Sequence, residues 1–353
     1  MSPRVPEPRR AIVLGGGGVL GFAWMLGALS ALESVAGFDV RDVETVVGTS
    51  AGSVAAGLLG CGTPLDAICR HHQGMPAPAD PPIAYDYAAA TGGALPPRPG
   101  WRPGSPRLLL DGLRHPLRSP IVTLAGLLPT GRGTLQPVHD LMASLARDAG
   151  FGQNWPTEPR PWVVAADYNT GRRVVFGRDK FAASPGSVPR IIRKATLADA
   201  VTASCSIPAW YPPTVIDGVP YIDGGALSNA SVDVLRGTGL DEVYVLAPMA
   251  SVNADRGRSA IGRVERLMRR TITRGILADA AALRAEGMQV CVVTPEPADL
   301  AVIGLNLMNP SRRTEVFETA QDTAAAQLAG QLSSSAGWGR RRATRDTPGQ
   351  APA

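Results

Sequence analysis

A serine stands between two glycines in Gly48-Thr49-Ser50-Ala51-Gly52, after the strand-like VETVV and before SVAAGLLG, which reads as a short helix. A G-x-S-x-G run in strand, turn, helix context has the form of a nucleophile elbow. The turn is too tight for a Cβ close to the serine, hence Gly48 and Gly52, and it pushes the Ser50 hydroxyl out over a sheet edge. The helix that follows aims its positive end at the serine and favours negative charge developing there. Small residues in this pattern also suit an ordinary tight turn, so the flanking elements carry the assignment.

A hydroxyl that attacks an ester carbonyl needs donors for the oxyanion and a base for its proton. Gly15 to Gly18 and Gly21 lie between the strand-like AIVL and an apolar helix from about Phe22 to Leu32, so their amides can point to the same sheet edge as Ser50. Losing one such donor costs on the order of 100- to 1000-fold in rate, which favours a turn free of side chains. GGGGVLG also matches the phosphate-binding G-x-G-x-x-G, but no acidic ribose anchor follows at the usual offset, and the Lys-Ser/Thr ending of a P-loop is absent.

For the base, His71, His72, His115 and His139 are the first candidates, yet none follows a late strand, where the order Ser, Asp, His would place it. A carboxylate is the alternative. Asp223 in Tyr221-Ile222-Asp223-Gly224-Gly225 ends an apolar hairpin-like stretch, PPTVIDGVPYIDGG, and the paired glycines allow another loop to come close. A partly dry pocket would raise the Asp223 pKa toward the range in which a carboxylate takes a proton from serine. Taken alone, Asp-Gly-Gly is only a turn.

These residues need a frame. Short β-branched runs recur between helical stretches: Ala11 to Leu14, Val43 to Val47, Trp162 to Ala166, Val174 to Phe176, Glu242 to Ala247 and Gln289 to Val293. The alternation predicts an α/β fold, a mostly parallel central sheet with helices on both faces. Residues 11 to 32 carry no charge and follow Arg9 and Arg10, the look of a signal peptide or membrane span. Four consecutive glycines oppose that reading, because each costs about 1 kcal/mol relative to Ala inside a helix. A buried strand, a glycine turn and a buried helix fit better.

Residues 74–133, crowded with Pro, Gly and Arg, read as an inserted cap or lid, or as a plain linker loop, within a domain over 8–332. The tail 333–353 has little to bury and is expected to be disordered. Residues 261–286 place Ile261, Val264, Leu267, Met268, Ile272, Ile276 and Leu283 near one face of a helix, with Arg263, Arg266, Arg269, Arg270 and Arg274 on the remainder. Such a helix either packs its apolar stripe on the core or lies on an anionic bilayer. A chain of 353 residues with 44% apolar and 18% charged residues is globular, and its net charge of +5 suits anionic surfaces. Cys61, Cys69, Cys205 and Cys291 form no CxxC pair, which argues against a zinc ribbon or disulfide framework and suits a reducing cytoplasm.

Taken together and in this order, the motifs resemble the patatin-like phospholipase family. Gly16-Gly17-Gly18-Val19-Leu20-Gly21 is similar to its oxyanion loop, GTSAG to its nucleophile elbow, and Asp223-Gly224-Gly225 to its aspartate motif. The run from Ala203 to Pro213, with Ile207-Pro208 and Tyr211-Pro212-Pro213, is similar to the segment that precedes that aspartate. The resemblance implies a three-layer α/β/α fold and a Ser50–Asp223 dyad without histidine. It also implies oxyanion donors from Gly16, Gly17 and Gly18, with no metal and no cofactor. The implied activity is hydrolysis of lipid acyl esters of phospholipase A or lysophospholipase type, possible at a peripheral anionic membrane surface, with no role for nucleic acid. A small-ester hydrolase or acyltransferase, or a lipid-binding protein with weak catalysis, are the alternatives. One position departs: the family usually carries Arg or Lys before the last glycine of the loop, and this chain has Leu20. That leaves open how the turn is anchored, and Arg at another position could compensate.

Overall fold

The computed structural model describes residues 7–86, 105, 107–108, 126–177, 190–192, 195–253 and 260–334. Its strands are β1 (Arg10–Leu14), β2 (Thr45–Thr49), β3 (Arg160–Asp167), β4 (Arg173–Phe176), β5 (Arg190–Ile192), β6 (Thr214–Ile216), β7 (Val219–Asp223), β8 (Glu242–Leu246) and β9 (Gln289–Val293). They form one sheet in the order β5-β4-β3-β2-β1-β8-β9, with β7 pairing with β3 and β6. The run β3-β2-β1-β8-β9 is parallel throughout, and the antiparallel pairs are β3 with β4, β3 with β7, and β6 with β7. The expected mostly parallel sheet is therefore present, and the hairpin-like stretch before Asp223 is the β6–β7 hairpin.

Period-two alternation divides the strand side chains between two layers. Ile12, Leu14, Val46, Val163, Ala165 and Phe176 face α1 (Gly18–Ala36), α2 (Ala51–Gly60), α4 (Gln136–Asp148), α5 (Leu197–Ser204) and α8 (Arg313–Ser334). Ala11, Val13, Val47, Val164, Val243 and Val245 face a second cluster that includes Val232, Val234, Leu235 and the inner side of α6 (Ala260–Ala285). Strands covered on both faces have no solvated side, which is why they read as unbroken apolar runs.

The uncharged segment near the start resolves into β1, the glycine turn and α1. By length and composition α1 could cross a membrane, but 67% of that window is buried in the protein. At Gly27 an added Cβ would lie 2.4 Å from the Phe317 carbonyl oxygen of α8, so the two helices touch backbone to side. A helix wedged between sheet and outer helix is apolar all round for that reason.

Helix α6 departs from expectation. Its apolar residues do not form one inward stripe: Ile276 and Leu283 are buried, Ile272 is half-buried, and Val264, Leu267 and Met268 are exposed at 68%, 61% and 46%. The inward position in this first half is taken by Arg269, which is buried. The Ile261 side chain, His115, the stretches 87–104 and 109–125 of the insert and the tail from 335 lie outside the described residues.

Candidate active site

β2 and β7 occupy the same edge of β3 one after the other. Thr49, the last residue of β2, pairs with Val164, and Asp223, the last residue of β7, pairs with the next residue, Ala165. The parallel strand leaves the sheet into the elbow where the antiparallel strand arrives. Two residues 173 positions apart in sequence thus end at neighbouring places, which brings the Ser50 side chain beside the Asp223 carboxylate.

Ser50 caps the N-terminus of α2 with φ 53° and ψ −124°, a strained conformation for a residue with a Cβ. The strain is held on several sides. The Ser50 amide donates to Ser204 Oγ at 2.8 Å, and that hydroxyl donates to the Val164 carbonyl at 2.6 Å. Ser53 Oγ donates to the Ser50 carbonyl at 2.6 Å. The glycines are required by close backbone approach: a Cβ on Gly52 would stand 2.2 Å from the Leu14 carbonyl oxygen, and one on Gly48 2.4 Å from the Gly52 carbonyl oxygen. Gly224 is likewise pressed on the sheet, its Cβ position 2.5 Å from the Val164 carbonyl oxygen.

Asp223 is buried, and burial pushes its pKa from 3.8 up to about 6, although the neighbouring Ser50 hydroxyl and the hydrogen bond from the Gly225 amide at 2.7 Å pull it back toward ionisation. The described histidines, His71, His72 and His139, are occupied otherwise. His72 is fully buried against Phe22 and Phe317, and burial, helped by the charge on Arg313, drives its pKa down to about 3. His71 bonds through Nε2 to the Tyr85 carbonyl at 3.0 Å, and His139 lies 3.5 Å from Asp199.

The Gly16 amide donates to the Asn229 carbonyl at 2.9 Å, which engages it in holding the turn. Among the described residues the Gly17 and Gly18 amides have no protein acceptor, and both glycines line the cleft that contains Ser50 and Asp223. Leu20, at the departing position, is buried in the core and its amide donates to the Leu307 carbonyl at 2.9 Å. The opposite side of the turn rests on Pro248, whose Cγ is 3.0 Å from the Cβ position of Gly17. Pro248 is held in turn by Arg269, which donates from Nη1 to the Pro248 carbonyl at 2.7 Å and the Ala250 carbonyl at 3.3 Å and pairs through Nε with Glu265. An arginine distant in sequence thus braces the loop.

Arg269→Met would leave two carbonyls and one carboxylate without this donor, and is expected to lower unfolding stability by about 3 kcal/mol in urea titrations.

Sequence reading missed two residues here. Ser204 joins the elbow to β3 as above, and nothing in a run of small residues marks it. Asn229 accepts from Gly16, its Oδ1 is buried without a hydrogen-bond partner, and its side chain reaches the cleft. Its only signal is its place four residues after Gly225.

Residues 12–236 match the patatin-like phospholipase family. The chain belongs to that family. Solved structures are similar to the chain at low identity. VipD from Legionella pneumophila is 14% identical with a TM-score of 0.43, over 93% of this chain and 68% of that one. ExoU from Pseudomonas aeruginosa is 16% identical with a TM-score of 0.39, over 93% and 53%. Human GIVD cytosolic phospholipase A2, bound to methyl gamma-linolenyl fluorophosphonate, is 13% identical with a TM-score of 0.41, over 94% and 59%. The chain thus spans little more than half the length of the last two.

Two cavities meet at Ser50 of this patatin-like site. One is apolar and is lined by Phe22, Val54, Leu58, Ile68, Val138 and Leu141, with Ile83 and Tyr85 from the start of the 74–133 insert. The other is an open cleft lined by Gly17, Gly18, Asp223, Asn229, Met249, Leu128 and Leu305. Described residues of the stretch 74–133 therefore help wall both spaces: Ile83 and Tyr85 the first, Leu128 the second.

Proposed function

We propose that this chain hydrolyses acyl esters of lipids through a Ser50–Asp223 dyad. The observation that carries the reading is the position of Ser50 at the junction of an apolar cavity and an open cleft. An acyl chain fits the first, and the polar alcohol part of the ester remains in the second. Asp223 takes the proton as Ser50 Oγ bonds to the carbonyl carbon, and the Gly17 and Gly18 amides hold the oxyanion. As the tetrahedral adduct collapses, the ester C–O bond breaks and Asp223 returns the proton to the departing alcohol. Water then gives its proton to Asp223 and its oxygen to the acyl carbon, and the free acid leaves as Ser50 is reprotonated. The unit responsible is a single domain over 8–332, with 74–133 as wall and cap.

The experiment is a series of esters of one alcohol with lengthening acyl chains. Each buried methylene is worth about 0.8 kcal/mol, so kcat/KM is expected to rise roughly fourfold per methylene until the cavity is full. Leu58→Trp, which fills the cavity, is expected to shift the optimum to shorter chains without loss on the shortest. A response flat in chain length for both proteins would identify a small-ester hydrolase instead.

A further inference from the structure

The first half of α6 presents apolar side chains to solvent that a helix on a core would turn inward. Val264, Leu267 and Met268 lie within one outward stripe, i, i+3 and i+4, and are exposed at 68%, 61% and 46%. Arg263, Arg270 and Arg274 flank the stripe, are exposed, and have no ion-pair partner among the described residues. The acid of this half, Glu265, is turned away and engaged with Arg266 and Arg269. The side opposite the stripe is fastened to the wall of the cleft. Arg269 holds the carbonyls on either side of Met249, which lines the cleft, and Thr273 Oγ1 accepts from the Ser251 amide at 2.9 Å.

We propose that this face of α6 docks on an anionic lipid bilayer, with Val264, Leu267 and Met268 entering the headgroup boundary and the three arginines meeting lipid phosphates. Charge complementarity selects that occupant, since a cationic border without neutralising acids repels a second copy of the same face, whereas anionic headgroups attract each arginine roughly fivefold. The buried Arg269 is what makes the orientation possible: it commits the inward side of the helix to the cleft wall and leaves the apolar residues outside. The inference deepens the lipid reading, because it brings the bilayer to the helix fastened to the loop that walls the candidate active site.

The test is flotation of the full chain with vesicles of phosphatidylcholine alone or mixed with phosphatidylglycerol. It is run for the native protein, for Leu267→Asp with Met268→Asp, and for Arg263→Gln with Arg270→Gln and Arg274→Gln. The native chain is expected to float with the anionic vesicles at low salt and to be released as salt rises. The aspartate pair is expected to weaken binding at least tenfold, and the glutamine triple to remove the preference for anionic over neutral vesicles. Hydrolysis of a soluble short-chain ester, read in parallel, is expected to be the same in all three proteins, so a failed dyad and a failed docking face give different patterns. Absence of flotation by the native chain, equal binding by the aspartate pair, or a native dimer that this pair splits into monomers would overturn the proposal.

Discussion

Ser50→Ala is expected to reduce hydrolysis at least roughly 10,000-fold and to abolish covalent labelling by a fluorophosphonate. The label tests the site directly: Ser50 Oγ bonds to phosphorus, fluoride leaves, and Asp223 takes the hydroxyl proton. Alanine keeps the Cβ already tolerated at the strained φ of 53° and leaves the hydrogen bond from its amide to Ser204 Oγ in place, so the loss should come without loss of fold. Intact mass spectrometry before and after labelling checks both points. A native protein that takes no label would favour a lipid-binding protein with the fold of a hydrolase, and equal labelling of the alanine variant would place the nucleophile elsewhere.

Asp223→Asn is expected to cost about 100- to 10,000-fold in kcat, the range of a general acid–base group, while labelling slows rather than changes position. The native pH profile should carry the same group. A base with a pKa near 6 is ionised and competent above that value, so kcat/KM should be level above pH 6 and fall about tenfold per unit below it. Stability runs the opposite way. The folded state binds the Asp223 proton more tightly than the unfolded chain, so the contribution is fully present below pH 4 and is lost as pH rises through 6. At pH 8 the native protein holds an ionised carboxylate in a dry site, and Asp223→Asn is expected to gain at most about 3 kcal/mol. At pH 4 the two proteins should melt alike. Thermal melts at both pH values, with the activity profile, separate a catalytic carboxylate from one that only shapes the turn. An asparagine variant that keeps native turnover at pH 8 would remove Asp223 from the mechanism.

In the proposed mechanism the activity expected of an ionised Asp223 and the stability given up for it have one cause, the burial of a carboxylate with few donors. The chain tolerates this because β3, α5 and the glycine turn hold the site from several directions. Strained φ, desolvated acid and committed glycine amides fall within one short stretch of sheet edge, where local preferences are expected to yield to chemistry.

Local sequence determined much of the chain. Strands buried on both faces must be apolar throughout, and the runs at Ala11 to Leu14 and Gln289 to Val293 show it. A sharp strand-to-helix turn requires Gly48 and Gly52, so the elbow was legible, as was the turn at Asp223-Gly224-Gly225. Tertiary structure decided what those pieces meet. The adjacency of Ser50 and Asp223 comes from β2 and β7 sharing one edge of β3, a long-range register that no short window encodes. The commitment of the Gly16 amide depends on where the Asn229 carbonyl arrives. The rotation of α6 was decided by a buried guanidinium whose partners are carbonyls on another loop; periodicity weighs only apolarity, and so it put Val264, Leu267 and Met268 on one face with Ile276 and Leu283, whereas hydrogen bonding to Pro248 and Ala250 turned Arg269 inward and left those three outside.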